Sequence, residues 1–182
     1  MCPKNDTDRQ ASLFAPAAAA AAATAATGSP EPRAPRRSVT AYTDGSCDTA
    51  SGHGGWAYML VEGGAERTEA GYAPDTTNNR MELTAAVRAL AALEQASDVT
   101  IVTDSEYLKK AFTDGWLKNW LRNGWRTAAR QPVKNRDLWE ELLELEKRHV
   151  VRWSWTKGHA GHAENEAVDA LALAARRSRG RR

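Results

Sequence analysis

From Val39 onward apolar and polar positions follow regular periods. Val39-Thr-Ala-Tyr-Thr-Asp44 is a short run closed by Asp-Gly, which predicts a strand. Gly55 to Val61 is almost continuously apolar and predicts a second strand; Gly63-Gly64 then turns the chain into a third over about Glu66 to Tyr72, so the start is antiparallel. Leu83, Ala86, Val87, Leu90 and Leu93 recur at helical spacing, which predicts an amphipathic helix over 79–96. Val99 to Thr103 is a short apolar strand reached through that helix, hence parallel to its partner. Further helices are expected over 105–112, 116–122 (stopped by Asn123-Gly124) and 136–148 with Leu138, Leu142 and Leu145 inward. A fifth strand at 150–156 and a closing helix at 164–177 complete the order βββαβαααβα. This is an α/β fold, a five-stranded mixed sheet flanked by helices, with no internal repeat.

Residues 1–38 carry no such pattern. Lys4 and Arg9 ahead of an alanine-rich run imitate a signal peptide in outline, but Asp6 and Asp8 dilute the basic start and Pro16 interrupts the apolar stretch. With Pro30, Pro32 and Pro35 following, the segment is expected to be a disordered Ala/Pro-rich tail, leaving 39–176 as one folded domain and 177–182 as a basic tail. No apolar run reaches membrane-spanning length.

The 182 residues are 42% hydrophobic and 26% charged, which suits one core-forming domain. The formal charge of +2 hides a partition: 1–38 hold five basic and three acidic groups, 176–182 hold five arginines, and the part between is −5. Within that acidic part, Lys109 to Arg136 contains eight basic residues and a single acid, Asp114. A charge run is most often a solvated helix face; interleaved tryptophans shift this one toward nucleic-acid binding, in which Lys and Arg neutralise phosphates and release counterions. Two cysteines, Cys2 and Cys47, exclude a disulfide framework and a four-cysteine zinc site and point to a reducing compartment.

Four carboxylates stand in distinctive settings: Asp44 in Thr-Asp-Gly-Ser, Glu82 in Asn-Asn-Arg-Met-Glu-Leu, Asp104 in Thr-Asp-Ser, and Asp169 after Lys-Gly-His-Ala-Gly-His. Each has a structural reading of its own: Asp44-Gly45 as a turn, Asp104 as an N-cap, Asn79 with Glu82 as a capping-box pair, Asp169 as a solvated helix residue. Together they read as an oxygen-ligand site for a hard divalent ion such as Mg²⁺. If the first and fourth strands are parallel neighbours, Asp44 and Asp104 emerge at the same sheet edge, where open α/β sheets place ligands. His159-x-x-His162 has no third zinc ligand in motif spacing, and Cys47 with His159 has no recognised thiol-enzyme context.

These segments resemble ribonuclease H of type 1, in its bacterial form. The resemblance runs from about Val39 to Arg176 through Thr43-Asp44-Gly45-Ser46, Thr77-Asn78-Asn79-Arg80-Met81-Glu82-Leu83, Thr103-Asp104-Ser105, Pro132-Val133-Lys134-Asn135 and Lys157-Gly158-His159-Ala160-Gly161-His162. It implies an endoribonuclease that hydrolyses the RNA strand of RNA–DNA hybrids, leaving 5′-phosphate and 3′-hydroxyl ends. It further implies that Asp44, Glu82, Asp104 and Asp169 hold two Mg²⁺ or Mn²⁺ ions, that Asp44 bridges them, and that His159 is the catalytic histidine. Asn78 and Asn79 match positions that touch the hybrid near its minor groove, where 2′-hydroxyls mark RNA. Residues 115–130 resemble a basic protrusion that grips the DNA strand, which makes Trp116, Lys118, Trp120, Arg122, Trp125 and Arg126 substrate-binding candidates.

Two departures stand out. Asp48 to His53 replaces a Gly/Pro-rich loop that often carries a contacting asparagine, and Glu106 stands where a neutral glutamine is frequent. The expected setting is a cytoplasmic monomer without membrane association. An integrase- or resolvase-like nuclease is opposed by the 157–162 loop and the protrusion, and a catalytically dead hybrid-binding module by the presence of all four carboxylates.

Overall fold

The computed structural model describes residues 36–156 and 163–179. Most of the expected tail, and the 157–162 loop with His159 and His162, lie outside the described residues. Among the described residues five strands and five helices follow in the expected order: β1 (Arg37–Cys47), β2 (Gly54–Glu62), β3 (Ala65–Ala73), α1 (Asn78–Ala91), β4 (Ser97–Thr103), α2 (Glu106–Thr113), α3 (Trp116–Arg122), α4 (Arg136–Glu146), β5 (Val150–Trp155) and α5 (Ala163–Ser178). The sheet order is β3-β2-β1-β4-β5, antiparallel across β1–β2–β3 and parallel across β1–β4–β5.

The alternation in β1 divides its side chains between two cores. Val39 and Ala41, with Tyr58 and Leu60 of β2, face a large cluster that includes Leu83, Val87 and Leu90 of α1, Leu108 of α2, Trp120 of α3, and Trp139 and Leu142 of α4. Tyr42, Ala57, Met59 and Val61 face the other way, onto Val168, Leu171 and Ala172 of α5. The period of two in a strand produces this division, with helices covering both faces.

Several boundaries differ from those expected. β1 begins at Arg37, inside the expected tail, and runs past Asp44 to Cys47, because Gly45 and Ser46 continue the ladder with β2 opposite Trp56 and Gly55. α1 ends at Ala91 rather than 96: Leu93 is buried, but its N–H bonds the Leu90 carbonyl in a tightened last turn. The cap of α1 is Thr77, whose hydroxyl accepts from the Arg80 N–H, so Asn79 and Glu82 form no capping box. α5 runs from Ala163 to Ser178, one residue beyond the expected helix at each end.

Candidate active site

The β1–β4 ladder ends at the pair Tyr42 and Val102. Asp44 and Asp104 each lie two residues beyond it, so by strand periodicity they project to the same face at neighbouring positions. Asp44 sits inside β1, and Asp104 is the first residue after β4. Glu82 joins them because α1 starts in contact with β1: a Cβ on Gly45 would lie 2.2 Å from the Glu82 backbone nitrogen. Only glycine permits that approach, so the Asp-Gly pair serves helix docking rather than a turn. Asp169 follows Val168, which is fully buried against the sheet, and lies close enough to Asp44 to act on its charge.

The electrostatics are those of crowded anions. Burial first, then the negative charges of Asp104, Asp169 and Glu82, push the Asp44 carboxyl up to about 7 against a single backbone hydrogen bond from Gly45. Burial also raises Glu82, while hydrogen bonds from Ser105 and Asn78 pull it back. The Ser105 hydroxyl has two tasks: it accepts from the Leu108 N–H as the cap of α2 and donates to Glu82 Oε2. Asn78 donates to Glu82 Oε1 at 2.8 Å and accepts from the Cys47 N–H at 3.1 Å, tying the helix start to the end of β1. Sequence reasoning placed Ser105 in a motif without a role and took Asp104 as the possible cap. A hydroxyl directly after the carboxylate and three residues before Leu108 was the available signal.

Among the described residues no group of three or more His, Cys, Asp or Glu side chains is drawn together tightly enough to hold a metal ion by itself. The four carboxylates make an open edge whose common electrostatic need is positive charge, and no basic side chain contributes to the Asp44 shift. An all-oxygen set of this kind fits a hard divalent ion that keeps several waters.

The protrusion packs on the sheet face that α1 and α4 cover. Lys118, Arg122 and Arg126 are exposed, and Trp116 and Trp125 are half-buried. Trp120 is 9% exposed, with its ring 5.7 Å from that of Trp139 in an edge-on contact, and it therefore anchors the protrusion to the core rather than presenting an open face. Trp125 adopts φ 61°, its N–H bonds the Trp120 carbonyl at 2.7 Å, and the Arg136 guanidinium lies 5.6 Å from its ring. Arg80 ties α1 to α4 through an ion pair with Asp137. Asn78 and Asn79 are exposed at the start of α1, and Glu106 is exposed and paired with Lys109 at 3.3 Å. Trp153 and Trp155 stack on one face of β5 with centroids 5.5 Å apart, as framework.

A mixed sheet with acidic groups converging at one edge, flanked by a basic aromatic-backed protrusion, defines an α/β domain of the nuclease class. The family model for RNase H matches residues 36–177. A ribonuclease H from Halorhodospira halophila is 55% identical over 137 residues, covering 75% of this chain and 91% of that protein. A ribonuclease HI from Pseudomonas aeruginosa is 51% identical, covering 75% and 92%. Among solved structures, the crystal structure of LC9-RNase H1, a type 1 RNase H with the type 2 active-site motif, superposes with a TM-score of 0.68 at 31% identity, covering 80% of this chain and 74% of that one. The chain belongs to the ribonuclease H family, nucleases that act on the RNA strand of RNA–DNA hybrids. Among the described residues no helix is long and apolar enough to cross a membrane.

Proposed function

We propose that this chain is a metal-dependent endoribonuclease that cuts the RNA strand of RNA–DNA hybrids and leaves 5′-phosphate and 3′-hydroxyl ends, acting as a monomer in the cytoplasm. The observation that carries it is the placement of Asp44 and Asp104 two residues past one ladder pair, with Asp44 pushed up to about 7 by burial and by the carboxylates around it. Asp44, Glu82, Asp104 and Asp169 would hold two Mg²⁺ or Mn²⁺ ions, with Asp44 shared. When bound, such ions polarise the scissile phosphate and lower the pKa of the attacking water.

The chain's own groups set the geometry for that chemistry. Ser105 and Asn78 hold both oxygens of Glu82, so this carboxylate keeps one orientation. Asn79, exposed beside it, contacts the hybrid near the minor groove, and Asn78 does so through whatever hydrogen-bonding capacity Cys47 and Glu82 leave. His159, in a glycine-flanked sequence, assists proton transfer or product release. Trp116, Trp125, Lys118, Arg122 and Arg126 grip the DNA strand, with Trp120 as the support beneath them.

Labelled hybrid, duplex RNA and duplex DNA, each incubated with Mg²⁺ or with EDTA and resolved on a gel, test the reading. Cleavage is expected of the hybrid alone and only with the ion. Equal cutting of duplex DNA, or cutting in EDTA, would overturn it.

A further inference from the structure

A second basic surface is assembled on the opposite helical layer. At its C-terminal end α5 rides against β2: a Cβ on Gly55 would lie 2.2 Å from the Ala172 carbonyl oxygen and 2.6 Å from the Arg176 nitrogen. Glycine therefore lets the end of the helix settle beside the β1–β2 loop. There Arg176, Arg177 and Arg179 line, with Asp48, Ser51 and His53, a polar cavity of about 300 Å³. Arg179 adopts φ 48°, with its N–H on the Arg176 carbonyl, a left-handed turn at which helices usually carry glycine.

The cavity has positive charge to spare. Among the described residues none of the three guanidinium groups is ion-paired with a carboxylate. The one acid in the lining, Asp48, already accepts from the Ala50 N–H and the Ser51 hydroxyl, each at 3.0 Å. His53 Nδ1 is engaged with the Tyr72 hydroxyl at 2.6 Å, which leaves Nε2 as the ring nitrogen for a ligand. Three guanidinium groups and an imidazole around a small polar space suit an anion with several oxygens, above all a phosphate.

Its position suggests which phosphate. Arg176 acts electrostatically on Cys47 and Asp48, and the Cys47 N–H is bonded to Asn78, which holds Glu82. Along α5 the seven residues from Asp169 to Arg176 span about 10 Å. That is roughly three nucleotides of a strand that advances about 3.4 Å per residue.

We propose that Arg176, Arg177, Arg179 and His53 form a second backbone-phosphate subsite for the hybrid, on the α5 side of the carboxylates and on the layer opposite the protrusion. The proposal rests on the hybrid-cleaving function above. The subsite adds affinity without reading bases.

The test uses the full chain carrying Arg177→Ala with Arg179→Ala, both exposed positions. In an Asp44→Asn background that leaves the hybrid uncut, the slope of log affinity against log salt is expected to fall by about 2, near 0.9 for each lost contact, and affinity by about 5- to 10-fold at moderate salt. With Asp44 intact, KM rises by a similar factor and kcat stays within about 2-fold. Arg177→Lys with Arg179→Lys keeps both charges and is expected to recover affinity to within about 2-fold. An unchanged salt slope and KM would overturn the subsite, and so would an equal loss in the lysine pair, since a packing role would then explain it. Failure of the parent chain to cut hybrid in Mg²⁺ would instead sink the underlying function, so the two failures are distinguishable.

Discussion

The protrusion and the C-terminal end of α5 both present positive charge, on opposite layers of the domain, but they are built by different means. The protrusion is a contiguous segment backed by aromatic packing: Trp120 lies between Trp116, at 6.1 Å, and Trp139, at 5.7 Å, and Trp139 is fully buried. Among the described residues the α5 surface has a smaller aromatic backing, the Tyr72 ring 5.7 Å from that of His53. It joins a helix end to a loop more than 120 positions earlier in the chain, through the close approach at Gly55. The first places charge on a stiff aromatic base; the second depends on strand and helix docking. Between them the carboxylates crowd their own charge, which leaves attraction of a polyanion to the flanks.

The largest expected effect separates chemistry from grip. Asp44→Asn should lower kcat on hybrid by at least ~10³-fold while both basic surfaces still bind it, so affinity stays within about 3-fold. Near-normal turnover would misplace the site, and a parallel loss of binding would mean that the flanks do not act independently of the edge.

Next comes the aromatic base of the protrusion. Trp139→Ala removes a fully buried indole that touches Trp120, Phe112 and Tyr107, and should destabilise the fold by about 3–5 kcal/mol, seen in urea or thermal melts. On the α5 side Tyr72→Phe removes one hydrogen bond to His53 and should change stability by about 1 kcal/mol or less. Equal losses would erase the contrast between the two constructions.

Smaller again is the loss of charge on the protrusion. Replacing Lys118, Arg122 and Arg126 together by alanine should weaken hybrid binding by about 10- to 100-fold and lower the salt slope by up to about 2.7. This exceeds the effect expected of the α5 pair. A smaller effect, measured by titration across a salt series, would reverse the ranking of the two surfaces.

A last effect, read through pH, concerns the carboxylate edge. Asp44 binds its proton more tightly when folded, with a pKa of about 7 against 3.8 in the free carboxyl, so its contribution to stability is fully present below pH 4 and lost as pH rises through 7. In EDTA at pH 8 the Asp44→Asn chain should therefore melt on the order of 10 °C above the parent, and the two should converge near pH 4. Adding Mg²⁺ at pH 8 should raise the parent's melting temperature more than the variant's. Equal melting at pH 8 in EDTA would show that the crowding is relieved in some other way.

Much of this was legible because it is local. Short strand-forming runs marked β1 and β4, the Gly63-Gly64 turn marked the β2–β3 hairpin, and Leu138 and Leu142 marked the inner face of α4. Errors arose where a local signal had a distant use. Asp-Gly looked like the end of β1, yet Gly45 is there because α1 must approach it. Asn79 and Glu82 looked like a capping box, yet Thr77 caps the helix and Glu82 is turned toward Ser105 and Asn78. Trp120, one of several tryptophans in a basic run, proved to belong mainly to the core.

The sequence by itself determined the order of elements and the family, and singled out the four carboxylates as candidates, because periodicity, turn chemistry and short motifs are properties of neighbouring residues. Only the tertiary structure decided that Asp44 and Asp104 stand two residues past the same ladder pair, that Ser105 secures Glu82, and that the arginines of α5 share a cavity with His53. Those relations depend on which strands pair and how closely helices approach them. Such long-range choices are set by packing of the whole chain and leave no periodic trace in any one segment.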